Sequence, residues 1–535
     1  MKIKNIKINK KLLICIILTL FISIIFWYIA SVLNIFIFLQ KLNFTFFEPF
    51  NYFFAPFSLI LALICCVSIS FFLWWKCFYK NNFSNDLQEN KFLSKKEFTK
   101  NFAECCLYHK TDKYGFVTKL SIIHKLPVVN TINKTHALVI GATGSGKTQN
   151  IIIPTIILNA YSIYKPSMII SDPKGELFEK QSLILEKQGY NIKVLDLKNF
   201  EIGNQWNPLN YIFKLWKQKS YIKVNKEIDS LVNIICPIHY NTNPHWDQTA
   251  QNFIKGIIYA LLEDYDMNKN INENNFNFSS INKILFLPLE ELKSYIFDRN
   301  IESKAKKYFA NLNTTSQENK EVDSLMSTTK TVLNKFENLE IILSNNNFDF
   351  QEFIDKPTAL FLILSDHSNE YHFLANLFIA QLYKFLVGKA DNSDLKTLKR
   401  PTLFLLDEFA NLPTIKDIDN WITAARSRNI WFMLVIQDFE QLKNKYKNYR
   451  TLIANCNLKY FLHTNDYQNA KILAEEYGTI KVNESSTTKS EKHISTTTYQ
   501  KQKPLITAET LIKLPVNTQI IKYNRLRTCL ESFRK

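Results

Sequence analysis

The chain has 535 residues, with 66 Lys and Arg against 48 Asp and Glu, for a formal net charge of +18. That length supports two or more domains with their own cores, and the charge favours an acidic partner such as nucleic acid or anionic lipid. The nine cysteines include no C-x-x-C pair, and the adjacent pairs Cys65-Cys66 and Cys105-Cys106 are too close for ordinary bridges, so neither a zinc site nor a disulfide framework is indicated.

Residues 12–39 are almost wholly apolar and carry no charge, more than the roughly 20 residues a helix needs to cross a bilayer. Residues 52–75 form a second apolar run, closed by Trp74-Trp75 as an interfacial belt would be. The first run is too long for a signal peptide, and no small-residue cleavage site follows it. Lys2, Lys4, Lys7, Lys10 and Lys11 precede it, Lys76 and Lys80 follow the second run, and the short loop between holds Lys41 against Glu48. The positive-inside rule then predicts a two-helix anchor in residues 1–80 with both ends cytoplasmic. The short loop leaves no room for a sizeable periplasmic domain. Residues 81–134 are mixed and polar and are expected to be a linker and lead-in to the first core strand.

The stretch Gly141-Ala142-Thr143-Gly144-Ser145-Gly146-Lys147-Thr148 fits the P-loop pattern at every fixed position. Only 10 glycines occur in the whole chain, and three stand in these positions, which argues against a chance turn. The apolar run Ala137-Leu138-Val139-Ile140 leads in as a buried strand, and Thr148-Gln149-Asn150 opens a helix. Glycines let the backbone wrap a phosphate, and N–H groups at a helix start face the anion. Lys147 would contact the β- and γ-phosphates of ATP, and the Thr148 hydroxyl would bind Mg²⁺.

Residues 167–170 read as the next strand, ending in Ser171-Asp172-Pro173-Lys174-Gly175-Glu176, and residues 192–196 as another. Strands alternating with helices point to an α/β fold with a parallel sheet. Residues 211–347 are helical in spacing (246–262, 281–297 and 324–339) and are expected to be an inserted all-helical domain. Strands resume at 358–364, 402–406, 431–436, 459–462 and 519–523, so the nucleotide-binding domain comprises residues 135–210 and 348–535. The Ser/Thr-rich stretch 485–498 reads as a mobile loop or hairpin tip.

Leu403-Phe404-Leu405-Leu406-Asp407-Glu408 has the form of a Walker B strand: a buried apolar run with two acids at the carboxyl end, where α/β sheets bind ligands. Asp407 would hold the Mg²⁺ shell and Glu408 would orient and deprotonate the attacking water. A charge at a helix start is the competing reading of Glu408.

The continuation Asp407-Glu408-Phe409-Ala410-Asn411-Leu412 resembles the Walker B signature of the type IV secretion coupling ATPases of the TraG/TraD/VirD kind. Asp172-Pro173-Lys174-Gly175-Glu176-Leu177, Trp206-Asn207-Pro208-Leu209, Trp246-Asp247, Ala425-Arg426-Ser427-Arg428-Asn429-Ile430, Ile436-Gln437-Asp438 and Thr507-Ala508-Glu509 are similar to that family in the same order. The resemblance implies a RecA-like motor domain at the bacterial inner membrane, a homo-hexamer around a channel, and ATP hydrolysis coupled to moving DNA with its relaxase, or effector proteins, into the secretion apparatus. It also implies an arginine finger at Arg426, given by a neighbouring subunit. Arg428 competes for that role, and a plain surface arginine is the bland alternative. Gln437 matches the family's γ-phosphate-sensing residue, a strand-capping amide being the alternative, and Asp172 either lies near Mg²⁺ or caps its own turn. The long acidic tail of some members is missing, so partner contacts are expected from the helical domain. A coupling protein for effectors only and an FtsK-type DNA translocase are the competing functions.

Overall fold

The computed structural model describes residues 92–532 apart from positions 94, 124–125, 239–243, 310–318, 338, 344–345, 366–370, 491–492, 516–517 and 525–528. Both expected membrane runs lie outside these residues, and among the described residues no helix is long and apolar enough to cross a membrane. The segment 81–134, expected as a linker, instead folds from residue 95 onward. A helix, Lys95–Asn101, precedes three strands, β1 (Ala103–Cys106), β2 (Phe116–Ile123) and β3 (Leu126–Ile132), which pair antiparallel in the order β1-β3-β2. Their Val, Ile and Thr content suits a pleated surface, and one face supplies Val117 and Val129 to a small core with Ile157 and Leu158. The buried amide of Asn159 ties this layer down, accepting from the Gly115 N–H and donating to the Gly115 carbonyl, both at 2.9 Å.

The chain continues through β4 (Ala137–Ile140), β5 (Ser167–Asp172), β6 (Asn191–Asp196), β7 (Thr358–Ile363), β8 (Thr402–Leu406), β9 (Ile430–Ile436), β10 (Leu458–Phe461), β11 (Thr479–Ser490), β12 (His493–Pro504), β13 (Thr518–Tyr523) and β14 (Cys529–Ser532). Nine of these form one sheet in the order β14-β13-β10-β4-β9-β8-β5-β7-β6. From β10 to β6 every pairing is parallel, and β13 and β14 add antiparallel at one edge. Strands β4, β8 and β9 are buried at every position. Successive side chains point to opposite faces, and both faces are covered: Ala137 and Val139 enter one core with Leu403, Leu405, Met433 and Val435, while Leu138 and Ile140 enter the other with Phe404, Leu406 and Leu434. Burial on both faces is why these runs read as continuous apolar sequence rather than alternation.

The first core is closed by the helices Ile153–Tyr161 and Glu176–Lys187. The second is closed by the helices His372–Asp391 and Ile418–Ala425 and by helices from the long connection between β6 and β7. The described residues of that connection, 210–355, contain helices and no strand. Their core runs without a break into the sheet face. The run at 281–297 is two helices, Phe278–Leu285 and Leu289–Phe297, because Pro288 cannot continue a ladder begun before it. At the centre lies the helix Pro244–Asp266. Near its end a buried Arg299 pairs with Asp264 at 2.7 Å and Glu263 at 3.5 Å, and Tyr295 donates its hydroxyl to Asp264.

Within the stretch 485–498, expected as a mobile loop or hairpin tip, residues 485–490 and 493–498 belong to a two-stranded ribbon of β11 and β12, each 12 residues long. β-Branched threonines favour strand here. The ribbon is a unit separate from residues 91–478 and 504–535.

Gly256 tests the packing of the central helix. A Cβ there would meet the Phe309 ring at 2.2 Å, and that ring is 1% exposed and packed edge-on against Phe253 at 4.6 Å. Gly256→Ala should therefore cost about 1–3 kcal/mol, despite alanine's better helix propensity. Urea unfolding of the full chain in detergent, followed by tryptophan fluorescence, would read it; a variant as stable as the parent would show that Phe309 moves freely.

Candidate nucleotide-binding site

The P-loop hangs from the carboxyl end of β4, held by both neighbours. Gly141 N–H donates to Ile436 O at 3.3 Å and Ala142 N–H to His463 O at 2.9 Å. A Cβ on Gly141 would lie 2.6 Å from Ser145 Oγ and 3.0 Å from Leu462 Cβ, so a larger residue there would displace the Ser145 side chain of the loop. Gly144 has φ +78°, and a Cβ built on it would meet nothing within 4 Å: its glycine serves the left-handed backbone and leaves the face of the loop open. The chain then enters a π-turn, Thr148–Ile152, before the helix Ile153–Tyr161. The Asn150 N–H still bonds the Gly146 carbonyl at 2.9 Å, but Pro154 lacks the N–H that would bond the Asn150 carbonyl, so the ladder is interrupted in its first turns.

Strand β9 separates β4 from β8. Parallel register aligns Ile140 with Ile436 and Leu434 with Leu406, which brings the ends of β4 and β8 to one edge. There Thr148 Oγ1 donates to Asp407 Oδ2 at 3.0 Å, across 259 positions of sequence. The other Asp407 oxygen accepts the Glu408 N–H at 3.0 Å, and Ser171 donates its hydroxyl to the Asp407 carbonyl at 2.7 Å. Burial raises the Asp407 pKa to about 6; the hydrogen bonds from Thr148 and the Glu408 N–H pull it down, and the Glu408 charge pushes it up. Lys147 donates to the Gly141 and Ala142 carbonyls at 2.6 and 3.1 Å. Burial lowers its pKa, opposed by the charges of Asp407 and Glu408.

Gln437 follows the last residue of β9, between the P-loop and Asp407-Glu408, and is half-buried. Thus Gly141 to Thr148, Asp407, Glu408 and Gln437 share one edge. Arg426 does not join them. It lies in the turn Arg426–Arg428 that leads into β9, whose first residue Ile430 is aligned with Thr402, the first of β8. That is the amino edge of the sheet, separated from the edge that carries Glu408 by the length of β8, about 16 Å for five strand residues. Arg426 is exposed, whereas Arg428 is paired with Asp391 at 2.8 Å and donates to the Ala424 carbonyl at 3.0 Å. Asp172 caps its own turn: its Oδ2 accepts the Phe178 N–H at 2.8 Å.

The residues present fit a magnesium nucleotide. Thr148 and Asp407 place two hard oxygen donors in contact, as Mg²⁺ requires. Ser145 Oγ is buried in the loop without a hydrogen-bond partner. Among the described residues no group of three or more His, Cys, Asp or Glu could hold a metal.

Two features were not read from the sequence. Asn411 Nδ2 donates to Glu408 Oε2 at 2.6 Å. A cavity of about 410 Å³ beside it is lined by Glu408, Asn411, His372, Ser365, Pro173 and Lys445 among others. Lys445 donates to the Ala410 carbonyl at 2.5 Å, and burial lowers its pKa to about 8. Asn411 stands three residues from Glu408, a spacing that joins two side chains across a turn, but only the backbone's path there reveals it.

A family model described as type IV secretory system conjugative DNA transfer matches residues 82–527. The chain belongs to this family. It is 22% identical over 407 residues to the conjugal transfer protein TraG of Escherichia coli, an alignment covering 71% of this chain and 62% of TraG. It is 22% identical over 359 residues to VirD4 of Rhizobium radiobacter, covering 64% of this chain and 48% of VirD4. The chain thus spans less than two thirds of these relatives' own lengths. The fold is similar to that of the bacterial conjugative coupling protein TrwBdeltaN70 in its unbound form, with a TM-score of 0.56 at 15% identity, covering 84% of this chain and 93% of that one. TrwB in complex with ADP and Mg²⁺ gives 0.54 at 14% identity, covering 84% and 94%. With these neighbours and the mixed sheet, the chain has a RecA-like NTPase fold.

The raised pKa of Asp407 predicts a pH signature. Over roughly pH 4 to 6 the folded protein keeps a proton that the unfolded chain, with its ordinary carboxylate near 3.8, has released. Stability should therefore fall as pH rises through that window. Denaturant unfolding at several pH values should give a shallower slope for Asp407→Asn; an identical slope would assign the effect to other groups, Asp172 first, whose carboxyl burial also raises.

Proposed function

We propose that the protein is an ATPase of a type IV secretion or conjugation system that couples Mg²⁺-dependent ATP hydrolysis to recruiting and driving DNA, with its relaxase, into the secretion channel. The observation that carries this reading is the Thr148–Asp407 contact with Glu408 beside it, in a chain matched to the conjugative DNA transfer family from residue 82 to 527. TrwB has been seen with a non-hydrolysable ATP analogue as well as with ADP and Mg²⁺, which supports the same ligands here. The family match also favours this reading over an FtsK-type translocase.

Bound Mg²⁺ supplies positive charge to the phosphate oxygens. Thr148 and Asp407 hold that ion, and the backbone of Gly141 to Thr148 cradles the phosphates. Lys147 places its ammonium against the terminal phosphates. Glu408 accepts a proton from the attacking water at its carboxylate, and Gln437, between the two motifs, orients the group that is cleaved. Arg426 serves the site of a neighbouring subunit in a homo-hexamer; its exposure and its place at the opposite edge of the sheet support action in trans, and the Asp391 pairing of Arg428 favours Arg426 for the role. The net charge of +18 suits backbone contacts with DNA that need no base reading.

The reading includes an anchor at residues 12–39 and 52–75 in the inner membrane, with both termini and the large domain cytoplasmic. Residues 135–210 and 348–535 form the motor, and the helical domain 211–347 meets relaxase, effector or channel components.

The full-length protein in detergent micelles should turn over ATP faster with DNA, and rising salt should remove the stimulation. Lys147→Ala should bind nucleotide poorly. Glu408→Gln and Arg426→Ala should each lower turnover about 100-fold or more while keeping nucleotide affinity. Mixed together, those two variants should regain turnover, because an intact Glu408 can then meet a neighbour's intact Arg426. Full activity of Arg426→Ala would make it a plain surface arginine. Turnover indifferent to DNA would shift the cargo to protein.

A further inference from the structure

One oxygen of the Glu408 carboxylate is bonded by a residue, Asn411, that the hydrolase reading does not use. Glu408 itself has φ +48°, a left-handed conformation uncommon for a non-glycine residue. That turn is fixed on both sides. Upstream, the Glu408 N–H is held by Asp407. Downstream, the Phe409 N–H donates to Val435 O at 2.8 Å, and the buried Phe409 ring stacks on Tyr446 at 5.4 Å. Asn411 then meets Glu408 twice: its N–H donates to the Glu408 carbonyl at 2.7 Å and its side-chain amide to Oε2 at 2.6 Å. Two bonds from one residue close a ring that sets both the backbone and the carboxylate of Glu408.

The position of that ring matters. The cavity that Glu408 and Asn411 line together includes no residue of the P-loop. The amide donor of Asn411 takes one acceptor site on the Glu408 carboxylate and fixes the direction in which its remaining lone pairs point. From these contacts we infer that Asn411 is a positioning residue, a latch that holds the Glu408 carboxylate in a resting orientation and restrains hydrolysis by the unstimulated protein. The inference rests on the hydrolase reading and deepens it: release of the Asn411 amide frees Glu408 to receive the water proton. Asn411 touches neither the P-loop nor Thr148 in any hydrogen bond shown by the structure, so it acts through Glu408.

Asn411→Ala removes the amide at an exposed position, where the fold tolerates truncation. In the full chain in detergent, basal ATP turnover without DNA should rise about fivefold, the equivalent of one ordinary hydrogen bond, with KM for ATP unchanged and the factor of DNA stimulation reduced. A second readout needs no turnover: labelling of Glu408 by a water-soluble carbodiimide with glycine ethyl ester, read by peptide mass spectrometry, should increase in Asn411→Ala. Unchanged labelling would mean the amide does not cover Glu408, and the latch fails. Lower basal turnover with increased labelling would mean that Asn411 aims Glu408 productively, which also overturns it. If the parent protein turns over ATP and Asn411→Ala merely matches it, only the latch is lost. If neither turns over ATP even with DNA, the hydrolase reading falls and the latch falls with it, while the labelling still reports the contact itself.

Discussion

The parallel register of β4, β9 and β8 is the constraint from which the site follows. Ile140 lies beside Ile436, and Leu434 beside Leu406, so the P-loop, Gln437 and the Asp407-Glu408 pair leave the sheet at one edge. Because the strand period is two, a slip of one residue would turn Leu138 and Ile140 into the other core and move Asp407 away from Thr148. Burial on both faces makes such a slip costly. The edge that gathers the two motifs is therefore placed by apolar packing, not by the polar groups brought together there.

Those polar groups carry the strain of being buried. Lys147 and Asp407 are each pushed toward their neutral forms by loss of water, and each is compensated locally, Lys147 by its own loop carbonyls and Asp407 by Thr148 and a backbone N–H. A bound cation and polyphosphate are the partners that would favour both charged forms. Asp172, which also lies at this edge, is spent on its own turn. Position at the edge alone does not make a carboxylate a ligand.

The amino edge has a separate connection to the P-loop strand. His136, just before β4, accepts the Phe432 N–H at 3.0 Å through Nδ1. Burial, with the Arg426 charge nearby as a smaller cause, holds its pKa down to about 3, so it stays neutral and keeps that acceptor. The turn carrying Arg426 and the strand carrying the P-loop thus share a rigid buried contact at their bases.

The sequence by itself determined the motifs and the broad class. Gly141 to Thr148 and Asp407-Glu408 were legible because phosphate binding and metal binding demand fixed residue types at fixed spacing, and the core strands because burial on both faces leaves unbroken apolar runs. The helical character of 210–355 was legible from its period, although Pro288 divides one run in two. The antiparallel layer of β1 to β3 was not legible, since its strands mix polar and apolar residues and are held by distant partners such as Asn159 and Tyr460. Tertiary structure alone decided the strand order, the Thr148–Asp407 contact across 259 residues, the separation of Arg426 from Glu408, the capping role of Asp172 and the bond from Asn411 to Glu408. The physical reason is common to all of these: spacing along a chain fixes what a residue can do, but which residue it meets depends on how strands far apart in sequence are packed side by side.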